Sequence, residues 1–131
     1  DYPVYPAERA VADKACGIVA RHSGRPSSRV KDLVDIVVYA RNVAFGFDTL
    51  SAALKTEFSV RKLASSRTFS TPPEWGDAQA RQYRRLAEQT GTPNHFHDIR
   101  NAETLAKKLI EPCLSDRTDL SVWSTKTLTW E

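Results

Sequence analysis

Long apolar runs are missing from this chain. The longest covers residues 36–40, far short of the roughly 20 residues a membrane-spanning helix needs, and no signal-peptide pattern is visible. Cysteine is scarce. Cys16 and Cys113 are the only two, far apart in sequence and outside any Cys-x-x-Cys pair. That argues against a disulfide scaffold or a thiolate zinc site, and the two read as reduced, buried, small apolar residues of a cytoplasmic protein. Strong charge of one sign is also absent. The balance of 19 Lys+Arg against 16 Asp+Glu leaves +3, which permits a polyanionic partner without demanding one. There is no glycine-rich phosphate loop, no Ser-His-Asp arrangement, no internal repeat and no low-complexity segment.

What is present is an ordinary folding composition, 40 % apolar and 27 % charged over 131 residues, enough for one domain with its own core. Residues 1–5 are expected to be extended, because Pro3 and Pro6 each disfavour helix at the residue before. Pro6 then opens a helix over 7–22, with Glu8 in its positive first turn and Val11, Ala15, Ile18 and Val19 at helical spacing. "SGRPSS" breaks the chain. In the next helix Val30, Leu33, Val34, Val37 and Val38 fit the i, i+3, i+4, i+7, i+8 template. Asp48 reads as the N-cap of a third helix carrying Leu50, Ala53, Leu54 and Phe58. Residues 59–73 read as a long loop. A fourth helix is expected over 73–89, with Trp75, Ala80, Tyr83, Leu86 and Ala87 inward. The fifth starts at Asp98 or Asn101 and is ended or kinked by Pro112. The tail "LSVWSTKTLTWE" suits a short strand or an extended arm. The expectation is a mainly α fold, about five helices in a single domain over 1–131.

One feature resists a purely structural account. In "SSRVKDLVDIVVYAR", Asp32 sits in the first helical turn, where the helix dipole favours an acid. Asp35 lies beyond it, between Val34 and Ile36. A carboxylate in such company needs a cation or a cleft. Lys31, four residues earlier, is one partner. Asp32, Asp35 and Tyr39 share a face at the rim of the apolar stripe. On the first helix Lys14 interrupts "VADKACGIV" at a similar rim. It either snorkels over apolar surface or faces the acids of an antiparallel second helix. A lysine opposite two acids can bind phosphate and hold or activate a hydroxyl.

The stretches "AERAVADKACGIVARH" and "RPSSRVKDLVDIV" resemble the AbiEii and MenT-type nucleotidyltransferase toxins. That pattern is an acid and a lysine on one helix, a basic linker, then an Arg-x-x-Asp-Leu-x-Asp helix; here Asp13, Lys14, Arg29, Asp32, Leu33 and Asp35. "PPEWGDAQARQYRRLAEQTG" and "AETLAKKLIEPCLS" are similar to the family's later helices. The resemblance implies that Lys14 and one aspartate complete an active site, with Lys14 and Arg29 toward the nucleotide. Asp35 is preferred on its expected burial and Asp32 is second. The remainder of such a site, a Gly-Ser followed by Asp-x-Asp, holds Mg²⁺ and an NTP, and the acceptor is RNA, in some members the 3′ end of tRNA. A cognate antitoxin partner and a role in bacterial phage defence are also implied. This sequence contains no Gly-Ser with a following Asp-x-Asp. It is therefore expected to be the C-terminal helical half, without its own metal and inactive alone. Two other readings stand beside this one: a non-catalytic helical module binding protein or RNA, and an ordinary buried salt-bridge network that sets helix register.

Weaker signals remain. His95, His97 and Asp98 in "NHFHD" would need a further ligand to hold a metal, and Asp98 serves equally as a helix cap. "RQYRR" (81–85), with Lys107 and Lys108, offers basic surface with an aromatic among it. Trp75, Trp123 and Trp130 read as packing anchors rather than stacking platforms.

Overall fold

A computed structural model describes residues 6–63 and 66–131; the extended reading of residues 1–5 lies outside them. The described residues form five α-helices and one small hairpin: α1 (Ala7–Val19), α2 (Val30–Asn42), α3 (Phe47–Val60), α4 (Asp77–Glu88), α5 (Ile99–Ile110), β1 (Trp123–Ser124) and β2 (Thr129–Trp130). The fold is mainly α, as the periodicities predict.

Helix α1 begins after Pro6 with Glu8 in its first turn, and it buries Ala10, Val11, Ala12, Ala15, Cys16, Gly17 and Ile18. It ends at Val19, three residues short of expectation. His22 and Arg25 instead exchange both backbone hydrogen bonds around Ser23 and Gly24, whose φ angles of 54° and 77° are both positive. A two-residue turn of that hand needs a glycine-tolerant position, and it captures His22 before the helix can.

Helix α2 is the centre of the domain and packs against α1, α4 and α5. That explains its apolar circumference: Val30, Leu33, Val34, Ile36, Val37 and Ala40 are all buried. A helix with neighbours on three sides has only a narrow strip left for polar groups. Asp32, Asp35 and Tyr39 occupy part of that strip, each only partly exposed.

Two boundaries differ from the sequence reading. The N-cap of α3 is Gly46, and Asp48 lies in the first turn without a capping bond. The helix starts early because Phe47 is buried and its N–H donates to the Ser121 carbonyl at 2.9 Å, so the returning tail fixes where the helix begins. Helix α4 starts at Asp77 rather than 73, leaving Trp75 ahead of it. The Trp75 indole N–H donates to the Ser27 carbonyl at 2.7 Å, a contact that sets the approach to α4. For α5 the cap is Asp98, which accepts from the Arg100 N–H at 2.8 Å. Pro112 ends the helix by way of a 3₁₀ turn over Glu111–Leu114.

The loop before α4 is held by the side chains of α5 and the turn after it. Glu111 accepts from the Phe69 N–H at 2.8 Å, Glu103 accepts from the Thr71 N–H at 2.7 Å, and Lys107 donates to the Phe69 carbonyl at 2.7 Å. The Phe69 ring is thereby seated in the core. The tail forms the short antiparallel pair Trp123↔Trp130 and Ser124↔Thr129. Trp123 is fully buried and donates to the Ala40 carbonyl at 2.7 Å; Trp130 donates to the Leu109 carbonyl at 3.0 Å. The tryptophans act as anchors. No helix among the described residues is long and apolar enough to cross a membrane.

Candidate active-site cluster on helices α1 and α2

Helices α1 and α2 run antiparallel, since Gly17 faces the start of α2 while Lys14, one turn earlier, reaches a turn further along it. Their close approach depends on Gly17. A Cβ at that position would lie 2.9 Å from Asp32 Oδ2 and 2.9 Å from Arg29 Nη1. Lacking one, α1 lets Asp32 and the Arg29 side chain settle against its backbone.

This brings the predicted residues together. Lys14 Nζ donates to Asp35 Oδ2 at 2.9 Å and lies 3.7 Å from Asp32 Oδ1. Lys31 reaches Asp35 from the same helix at 3.1 Å. Arg29 Nε stands 3.3 Å from Asp32 Oδ2, yet that oxygen is buried and has no hydrogen-bond partner among the described residues. Asp13 points away from the cluster and pairs with Arg61 at the end of α3, which also holds Glu57.

The preference for Asp35 on burial does not hold. The Asp32 side chain is 13 % exposed and that of Asp35 22 %. Gly17 accounts for the inversion: without a Cβ it leaves room for the Asp32 carboxylate against α1, and a first-turn acid is covered. Burial accordingly pushes the Asp32 carboxyl above its ordinary value. Arg29 and Lys14 oppose this, while Asp35 and Asp13 add to it. Lys14 moves up as well. Burial works against its charge, but the hydrogen bond and charge of Asp35, together with Asp32 and Tyr39, outweigh that and hold the ammonium on.

The donor set is not that of a magnesium site. Mg²⁺ asks for oxygen ligands in octahedral array, and here two carboxylates are shared among Lys14, Lys31 and Arg29. Among the described residues no group of three or more His, Cys, Asp or Glu is placed to hold a metal ion. Cations beside an underbonded carboxylate oxygen suit a phosphate and a hydroxyl instead.

Residues 1–110 match the family described as Nucleotidyl transferase AbiEii toxin, Type IV TA system. The chain belongs to the AbiEii toxin family. The match runs through all five helices and ends with α5, so that the terminal hairpin lies beyond it. No curated protein and no solved structure matches the chain. As a family member it is a toxin of a type IV toxin–antitoxin system, which implies an antitoxin partner.

The remaining candidates sit elsewhere. The His97 ring is buried and hydrogen-bonded to the Thr92 carbonyl at 2.7 Å, His95 is exposed and packs edge-on against Phe96, and Asp98 is the α5 cap. In "RQYRR" the aromatic is not part of the basic surface. Tyr83 is fully buried and donates to the Phe96 carbonyl at 2.8 Å. Lys107 is engaged with Glu111 at 3.0 Å. Sequence reasoning missed Gly17 altogether. Its only signal was a glycine in mid-helix, where one weakens the helix unless something must come close.

Proposed function

We propose that this chain is the helical half of an AbiEii nucleotidyltransferase and lends Lys14 and the α2 aspartates to a composite site. Lys14, with Arg29 at its flank, would hold the phosphates of an NTP. Asp32 or Asp35 would orient the attacking hydroxyl of an RNA acceptor and take its proton as the hydroxyl oxygen bonds the α-phosphorus and pyrophosphate leaves. Nucleotidyl transfer of this kind uses NTP with Mg²⁺. The metal's ligands must come from the Gly-Ser and Asp-x-Asp half, because this cluster is unsuited to it.

The observation that carries this reading is the Lys14 ammonium set between two largely buried carboxylates, 2.9 Å from Asp35 Oδ2 and 3.7 Å from Asp32 Oδ1, with Asp32 Oδ2 making no hydrogen bond and only an ion pair to Arg29 at 3.3 Å. A network kept only for helix register is expected to satisfy each buried oxygen, since leaving one unmade is costly. An oxygen held only by an exposed arginine side chain can exchange that partner for a ligand when the arginine turns to a phosphate. The test is nucleotide transfer by the full-length protein with labelled NTPs, Mg²⁺ and total tRNA, comparing wild type with Lys14→Ala, Asp32→Asn and Asp35→Asn. Circular dichroism checks that each variant folds. Label on RNA from wild type, lost in Lys14→Ala and in at least one folded Asp variant, is the expected result. Folded variants that all label like wild type would leave the cluster a structural salt-bridge network.

A further inference from the structure

Two clefts meet between α4 and the start of α5. One, of about 250 Å³, is lined by Arg81 and Arg84 of α4 and Arg100 of α5. The other, of about 330 Å³, is lined by Trp75 and the start of α4. They share Ala80, Ile99 and Arg100, and so form one continuous groove. We infer that this groove binds single-stranded RNA, its arginines on the phosphates and the Trp75 ring beneath a base. The inference deepens the proposed reaction, on which it rests, by saying where the acceptor strand is held.

The groove is set apart by how its charges are used. The guanidinium groups of Arg81, Arg84 and Arg100 are exposed, and none has a carboxylate or hydrogen-bond partner among the described residues. Three acids also line the groove, and none pairs with these arginines: Asp98 is committed to the α5 cap, Glu103 accepts from Thr71, and Asp77 lies in the first turn of α4, where the helix dipole favours it. Arg100 also lies in the first turn of α5, a turn without an acidic residue, where the helix dipole disfavours a cation. An arginine in that place gains from an external anion what the helix withholds.

The other basic groove makes the contrast. It is lined by Arg67, Lys107, Lys108 and Arg117, but three of these are already spent. Arg67 donates to the Leu114 carbonyl, Lys107 binds Glu111, and Arg117 binds Asp119. Planar guanidinium forks suit phosphate oxygens. Trp75, half-buried with its indole N–H tied to Ser27, is a rigid ring beside them. Unpaired arginines next to an aromatic face are the means by which proteins hold single strands. An acidic peptide would use the charges but leave the ring idle.

The test is binding of a short fluorescein-labelled single-stranded RNA, read by polarisation across a salt titration without NTP or Mg²⁺. Binding is thus separable from transfer, because no nucleotide can be transferred in this assay. The triple variant Arg81→Gln, Arg84→Gln, Arg100→Gln removes exposed, unpartnered side chains and should fold. It is expected to bind at least about tenfold more weakly, with a log–log salt slope shallower by about 2, at about 0.7 for each phosphate no longer neutralised. Lys108→Gln, which removes an equally exposed charge outside the groove, should leave affinity unchanged. Three outcomes would overturn the inference: an unchanged slope in the triple variant, an equal loss in Lys108→Gln, or equal competition by an acidic peptide of matched charge.

Discussion

Replacing Lys14 by methionine keeps the stem that covers apolar surface and deletes only the charge. At an effective dielectric near 20, opposite charges 2.9 Å apart attract by roughly 6 kcal/mol. Most of that is offset by desolvation of a pair whose side chains are each 22 % exposed. The two acids also keep cations, Asp35 the Lys31 ammonium at 3.1 Å and Asp32 the Arg29 guanidinium at 3.3 Å. The net cost therefore falls between the ~0.2–1 kcal/mol of an exposed pair and the ~3–5 kcal/mol of a broken buried one, at about 1–2 kcal/mol. For 131 residues unfolding together that lowers the melting temperature by about 4–7 °C. A double-mutant cycle of Lys14→Met with Asp35→Asn, followed by urea unfolding, should return a coupling near ~1 kcal/mol. A coupling indistinguishable from zero would falsify the geometry on which the site rests, because two groups 2.9 Å apart in partial shelter cannot be energetically independent.

Asp32→Asn should hold or raise stability while reducing nucleotide transfer. The folded Asp32 carboxyl is raised above its unfolded value chiefly by burial. The folded state therefore binds that proton more tightly, and the resulting stabilisation is present below the unfolded pKa and lost as pH rises through the folded one. Melting temperatures on either side of that window should differ less in Asp32→Asn than in wild type; an unchanged pH dependence would contradict the assignment. Lys14 adds an alkaline counterpart: its raised pKa contributes stability fully present below the usual lysine value and lost as pH rises through the folded pKa, a limb that Lys14→Met should flatten. Gly17→Ala gains about 1 kcal/mol of helix propensity, but the new Cβ meets Asp32 Oδ2 at 2.9 Å, so thermal unfolding should show a net loss. A more stable variant would mean the helices do not approach as described. Cys16 and Cys113 are buried and free, with thiols pushed up by burial to about 12 and about 11. Ellman's reagent near neutral pH should label neither until denaturant is added, and rapid labelling of the native protein would contradict their burial.

The residues of the candidate site were legible because polar groups inside an apolar period are conspicuous. Lys14 and Asp35 each lie at the edge of a helical stripe, and a carboxylate there needs a cation or a cleft whatever the fold. Their ranking was not legible. Burial of Asp32 depends on what lies opposite it, and the deciding residue is Gly17 on another helix. The boundaries that moved did so for the same kind of reason. His22 is taken by a turn that Gly24 permits, the start of α3 is set by a hydrogen bond from Phe47 to Ser121, and Trp75 is held off α4 by Ser27, a residue 48 positions away in sequence.

By itself the sequence determined the helical class, the faces the helices bury and the rim positions of Lys14 and the α2 acids, since these follow from local period; whether Lys14 snorkels or pairs was left open. The tertiary structure alone decided which acid is drier, which oxygen is left without a hydrogen bond, and which arginines remain unspent. Those properties depend on distances between side chains from different elements, and helical period carries no information about them.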